Sequence, residues 1–197
     1  MRRLTPIVAV CAVAALAAAC SSTPSRFYTL SSTPATTPPA APSTLSIIVG
    51  PVSIPAVVDL PQIVVTAGPN RVSLDEFNRW ASPLQSNISR VVAENLVAML
   101  GTPRVSQFQQ SLNADADYRV AIEVQSFDSA PGDAATLNAV WVVRRTKDGK
   151  SQTGRTTVRE PTQAAGYDAL AAAHSRALAR LSQDVANAIR ELSQAAS

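Results

Sequence analysis

Three stretches decide the fold of this 197-residue chain: YRVAIEVQSF at Tyr118–Phe127, TLNAVWVVRR at Thr136–Arg145, and SQTGRTTV at Ser151–Val158. In the first, Tyr118, Val120, Ile122 and Val124 alternate with Arg119, Ala121, Glu123 and Gln125. That period of two is the signature of a half-buried strand. Lys147-Asp148-Gly149-Lys150 separates the second from the third, and Asp-Gly between two such runs predicts a hairpin. The three therefore read as consecutive antiparallel strands with one face turned to a core.

Working outward, Pro161 ends the third strand and a helix is expected over Tyr167–Leu192. Its apolar line is Leu170, Ala173, Ala177, Leu178, Leu181, Val185, Ile189 and Leu192, at helical spacing. A second helix precedes the strands. Leu84, Ile88, Val91, Val92, Leu96 and Met99 share one face, with Ser82 or Ser86 as candidate caps and Gly101 and Pro103 as stop signals. Before it, Gln62–Thr66 and Arg71–Leu74 flank the turn-forming Ala67-Gly68-Pro69-Asn70, and the β-branched run Leu45–Ile54 reads as a buried strand ending at Pro55. The order predicts an α+β domain: a mainly antiparallel sheet with two long helices packed on one face.

Residues 1–19 and the cysteine after them have another origin. Arg2 and Arg3, an apolar stretch over Leu4–Ala19 and small residues before Cys20 are the parts of an export signal cut just ahead of Cys20. The pattern resembles a bacterial lipobox, with Ala17 where Leu is preferred and Leu16 one position further out. Lipid attachment at Cys20 is the expectation, against a plain secreted protein or an uncleaved anchor. The apolar stretch is shorter than the ~20 residues a spanning helix needs. Removing the signal takes Arg2, Arg3 and Cys11 with it. Net charge falls from +3 to +1, and no cysteine is left for a disulfide. The chain then divides into the signal 1–19, a segment 20–44 and a folded domain 45–197. The middle segment holds the lipid cysteine, a short strand at 26–30 and the Ser/Thr/Pro tract Ser31–Ser43, which is extended rather than packed. Pattern alone leaves open whether Phe27–Leu30 joins the sheet.

Chemistry is sparse. His174, the one histidine, sits between Ala173 and Ser175 in the last helix with no nucleophile or orienting acid at a recognisable spacing. A histidine and no cysteine in the mature chain make no metal site. Gly149-Lys150-Ser151 ends like a phosphate loop, but Arg144 stands where the first glycine belongs. Asp75-Glu76 reads as local turn bonding, and Trp80 and Trp141 as core or hairpin-face residues. Arg144-Arg145-Thr146-Lys147 is the densest basic cluster, which argues against nucleic acid. Neither an enzyme nor a cofactor is expected.

Several blocks resemble PqiC-type auxiliary lipoproteins of ABC transporters. They are Phe27-Tyr28-Thr29-Leu30, Gly50-Pro51-Val52-Ser53-Ile54-Pro55, Asp59-Leu60-Pro61-Gln62-Ile63-Val64, Glu76-Phe77-Asn78-Arg79-Trp80-Ala81-Ser82-Pro83-Leu84 and Glu94-Asn95-Leu96. The resemblance implies an outer-membrane lipoprotein facing the periplasm, non-catalytic and assembling as a homo-oligomeric ring. It further implies an MCE-domain (PqiB-like) partner, with an inner-membrane transporter, in lipid movement between the membranes. Candidate partner contacts are then Pro55, Val57, Val58 and Pro61 in one loop and Asn70 and Arg71 in another. A lipid or hydrophobic-ligand carrier and an outer-membrane assembly factor are the competing readings.

Overall fold

The computed structural model describes residues 23–33, 43–108 and 115–194. Cys20 and Pro34, Pro38, Pro39 and Pro42 lie outside the described residues. Among the described residues, eight strands and two helices follow in the order β1 (Arg26–Tyr28), β2 (Ile47–Ser53), β3 (Gln62–Gly68), β4 (Arg71–Trp80), α1 (Leu84–Leu100), β5 (Val105–Gln107), β6 (Tyr118–Ala130), β7 (Ala134–Arg145), β8 (Ser151–Pro161) and α2 (Tyr167–Gln194). The chain has the expected α+β fold.

The strands divide between two sheets. One has five strands in the order β5-β2-β6-β7-β8, the other three in the order β1-β4-β3. β6, β7 and β8 form the expected antiparallel meander, paired from Tyr118↔Arg145 through Ala130↔Ala134, with one register shift between Val124 and Ser126, and from Ala134↔Pro161 to Arg144↔Ser151. β2 lies parallel to both β5 and β6. Parallel neighbours need a long crossover, and α1 belongs to the connection that supplies it. Both helices cover one face of the large sheet, α1 over β2 and β5 and α2 over β7 and β8.

Each helix is built as its apolar line predicts. Ile88, Val91, Val92 and Leu96 of α1 and Leu170, Leu178, Leu181, Val185 and Ile189 of α2 are fully buried. Ala173, Ala177, Ala186 and Ala188 are buried beside them, and their small side chains let α2 sit close on the sheet. α1 ends where Gly101 turns left-handed, at φ 64°, and its N–H bonds the Val97 carbonyl. Only glycine adopts that conformation without steric cost. The start of α1 differs from expectation. Pro83 occupies the N-cap with no side-chain bond, so neither Ser82 nor Ser86 caps the helix.

β1 does join the domain. It pairs in parallel with β4, Tyr28 opposite Trp80, and Leu30 beyond it is wholly buried. The small sheet is held to the rest through β3 lying against β6 and through its aromatic residues. Trp80 meets Phe127 edge-on at 6.3 Å and His174 at 6.2 Å. Tyr28 packs on Tyr167 at 5.8 Å, and the Tyr167 hydroxyl donates to Asp75 Oδ2 at 2.6 Å.

Candidate functional site

The residues singled out by sequence fall at the two ends of the small sheet. At one end, the loop after β2 carries Pro55, Val57, Val58 and Pro61, closed by a bond from the Val58 N–H to the Pro55 carbonyl at 3.0 Å. Val57 is exposed and Pro61 is exposed, but Val58 is buried and packs with the core. Val58, one of the candidate partner contacts, is therefore corrected to a core position. The tight turn from Pro55 points Val58 inward, where its apolar side chain gains by leaving water. Pro61 accepts a bond from the Trp80 N–H at 2.8 Å, which fixes this loop against the end of β4. Asp59, Leu60, Pro61, Trp80 and Ala81 line a cleft of about 320 Å³ there.

At the other end, Asn70 and Arg71 form the tip of the β3–β4 hairpin, both exposed. Arg71 Nη2 donates to the Ala67 carbonyl at 3.0 Å, holding the turn. The length of β3 separates this tip from Pro61, so the two loops do not merge into one surface. A cleft of about 550 Å³ runs between the tip and the β6–β7 turn, with Asp128, Asp133 and Arg159 among its lining residues. Arg159 and Asp133 pair across it.

Asp75 lies between these ends, at a bulge where β4 runs three residues ahead of β3 between the pairs Ile63↔Asp75 and Gln62↔Arg79. Its Oδ1 accepts from the backbone N–H groups of Phe77 and Asn78 at 3.0 and 2.9 Å. The carboxyl is partly desolvated, which opposes ionisation, yet the Tyr167, Asn78 and Phe77 hydrogen bonds outweigh this and lower its pKa. Asp75 is thus the local turn-bonding residue the sequence predicts. The same desolvation, with the Asp75 bond, holds the Tyr167 hydroxyl above its usual pKa.

His174 has the geometry of a packed core residue. It is wholly buried, stacks on Phe127 with centroids 3.8 Å apart and planes 9° from parallel, and pairs through Nε2 with Ser129 Oγ at 2.8 Å. Its Nδ1 has no hydrogen-bond partner, and burial lowers its pKa to about 3. A neutral imidazole sealed from solvent can neither receive a substrate nor exchange a proton with one. Among the described residues, no three His, Cys, Asp or Glu side chains gather as metal ligands. Nor is any described helix long and apolar enough to cross a membrane.

Sequence reading missed a set of exposed apolar side chains on the small sheet: Phe27 at 65%, Val72 at 52%, Phe77 at 47% and Leu74 at 46% exposure. The signal was present in Val72-Ser73-Leu74 and in Phe77. It reads equally well as core until the pairing partner is known.

Solved structures confirm the fold. A crystal structure of an uncharacterised protein covers 85% of this chain and 99% of its own, with TM-score 0.69 at 19% identity. A Xanthomonas campestris protein of the DUF330 family covers 88% of this chain and 100% of its own, with TM-score 0.69 at 21% identity. No curated protein matches. The family described as the ABC-type transport auxiliary lipoprotein component matches residues 28–186, from β1 into α2. The chain belongs to that family of auxiliary lipoproteins of ABC-type transport.

Proposed function

We propose that this chain is a non-catalytic outer-membrane lipoprotein. It is held by lipid on Cys20, faces the periplasm and docks an MCE-domain protein of a trans-envelope lipid transport system to the outer membrane. The observation that carries the reading is the family match across nearly all of the folded body, which makes the chain an auxiliary of a transporter rather than its motor or channel. The buried, neutral His174 is consistent with a binding role. The subunits assemble as a homo-oligomeric ring, each offering the partner its 55–61 loop.

Within that loop Pro55, Val57 and Pro61 are the proposed contacts, with Leu60 beside them. Val57→Asp puts a charge on an exposed position and leaves buried Val58 in place. Co-purification with the MCE-domain protein is expected to be lost while the melting temperature holds. Capture of the partner at wild-type levels by the variant rejects this loop. Light scattering showing a monomer at all concentrations rejects the ring. Hydrolysis or transfer of any small substrate rejects the non-catalytic reading.

A further inference from the structure

The exposed apolar residues of the small sheet share one face, and the strand register shows which. Ile63 is wholly buried and alternates with Gln62 and Val64; Val64 is itself buried with the core, but its partner Leu74 is exposed, and Arg79 pairs with Gln62 on the same side. Thr66 and its partner Val72 continue that face toward the tip. Phe27, beside Arg79 in β1, begins it, since Tyr28 and Trp80 are turned the other way into the core. Phe77 stands exposed at the bulge between. An apolar strip thus runs from Phe27 along the hairpin, with Arg79 at one end and Arg71 at the other.

The direction of β1 places the lipid relative to this strip. β1 is parallel to β4, with Arg26 opposite Asn78 and Tyr28 opposite Trp80, so the chain ahead of Arg26 leads toward the hairpin tip. Six peptide steps from Cys20 to Arg26 span at most about 20–22 Å. Arg79 pairs with Gln62 and Arg71 with Gly68, so with its bulge this part of β4 covers no more than the six steps of β3, about 20 Å at ~3.3 Å each. A fully extended chain therefore brings Cys20 to the level of the tip or just past it. Any shorter or more tilted path brings the strip itself down toward the anchor point.

We propose that the β3–β4 hairpin and Phe27 form a membrane-contact face, lying in the headgroup region of the bilayer that holds the Cys20 acyl chains. The inference rests on the lipoprotein reading above. Apolar and aromatic side chains at this depth gain by burial, and flanking arginines suit lipid phosphates. The domain is then held at the bilayer by two contacts, acyl chains and hairpin, which fixes its tilt. The 55–61 loop lies beyond the end of the strip opposite the hairpin tip.

The test uses the full lipidated chain in vesicles of phosphatidylethanolamine with a minority of phosphatidylglycerol. Once Cys20 is acylated the mature chain has no free thiol, so Val72→Cys, Leu74→Cys and Val57→Cys each accept one NBD label. The two hairpin labels are expected to emit at shorter wavelength than the Val57→Cys label and to be quenched several-fold more by doxyl-labelled phospholipid. Equal quenching at all three sites, with an unreactive wild-type chain, overturns the membrane-contact face alone. A wild-type chain that takes up the thiol probe overturns lipid attachment at Cys20, and this inference with it.

Discussion

Acid is expected to unfold this domain from within, through His174. In the unfolded chain an imidazole titrates near 6.5, whereas the buried ring in the folded state resists protonation until about pH 3. Between those values the unfolded state binds one more proton than the folded state, so stability falls as pH falls. The contribution of neutral His174 is complete above pH 6.5 and is lost progressively toward pH 3. Each pH unit in that window costs about 1.4 kcal/mol, so at pH 4.5 the loss is roughly 2–3 kcal/mol. That is a large part of a typical total of about 5–15 kcal/mol. Other groups titrate too: Asp148, bonded by the Arg145 guanidinium, and Asp75 both have lowered pKa values and add acid sensitivity below about pH 4. The His174→Gln variant separates the effects, because it lacks the titration and keeps the carboxylates. Urea unfolding of both proteins from pH 7.5 to 4.5 should show wild type losing stability faster, the curves diverging from about pH 6.5 downward. Parallel curves across that range would refute the argument that His174 is sealed and neutral.

Further expectations follow from packing. Gly154 lies opposite Trp141, and a Cβ there would sit 2.1 Å from the indole ring. Gly154→Ala must displace Trp141 and strain its bond to Thr156, so a loss of at least about 1–3 kcal/mol and a shifted tryptophan emission are expected. An unchanged melting temperature would show that the ring has room to move. Leu96→Ala and Leu181→Ala, both at fully buried positions, should each lose about 2–5 kcal/mol in chemical denaturation. Retention of full stability by both would contradict the helix-on-sheet core. Arg145 holds Asp148 at 2.6 and 2.9 Å and donates to the Leu192 carbonyl. Arg145→Met should therefore speed amide exchange in the β7–β8 turn and the last turn of α2, with the rest of the sheet unaffected.

Local periodicity was enough to find most elements, and non-local pairing accounts for what it missed. The meander β6–β8 and both helices were legible because each presents one apolar face at its own period. The separation into two sheets was not, since nothing in Leu45–Ile54 or Arg71–Leu74 states which strand becomes a neighbour. β4 runs on to Trp80 because Asp75 bonds the backbone of a bulge that reads, in sequence, as the end of a strand. The loop valines were indistinguishable until the Pro55 turn separated them. The setting of His174 was equally hidden, because Ala173 and Ser175 beside it are too small to mark a buried face. The family blocks were legible from sequence, while the apolar strip needed the strand register to be seen.

The parallel pairing of β1 with β4 also has a mechanical consequence. Tension on the chain ahead of Arg26 acts along the axis of β1, so its hydrogen bonds to β4 are loaded together, in shear, rather than opened one after another from an end. Behind β1, Leu30 is a plug wholly inside the core. The Ser31 N–H bonds Ser175 Oγ, and the Thr33 N–H bonds Asn95 Oδ1, so the same segment is riveted to both helices. A pull on the chain ahead of Arg26 therefore reaches the whole body of the domain at once, as a load on a stitched seam is shared among its stitches.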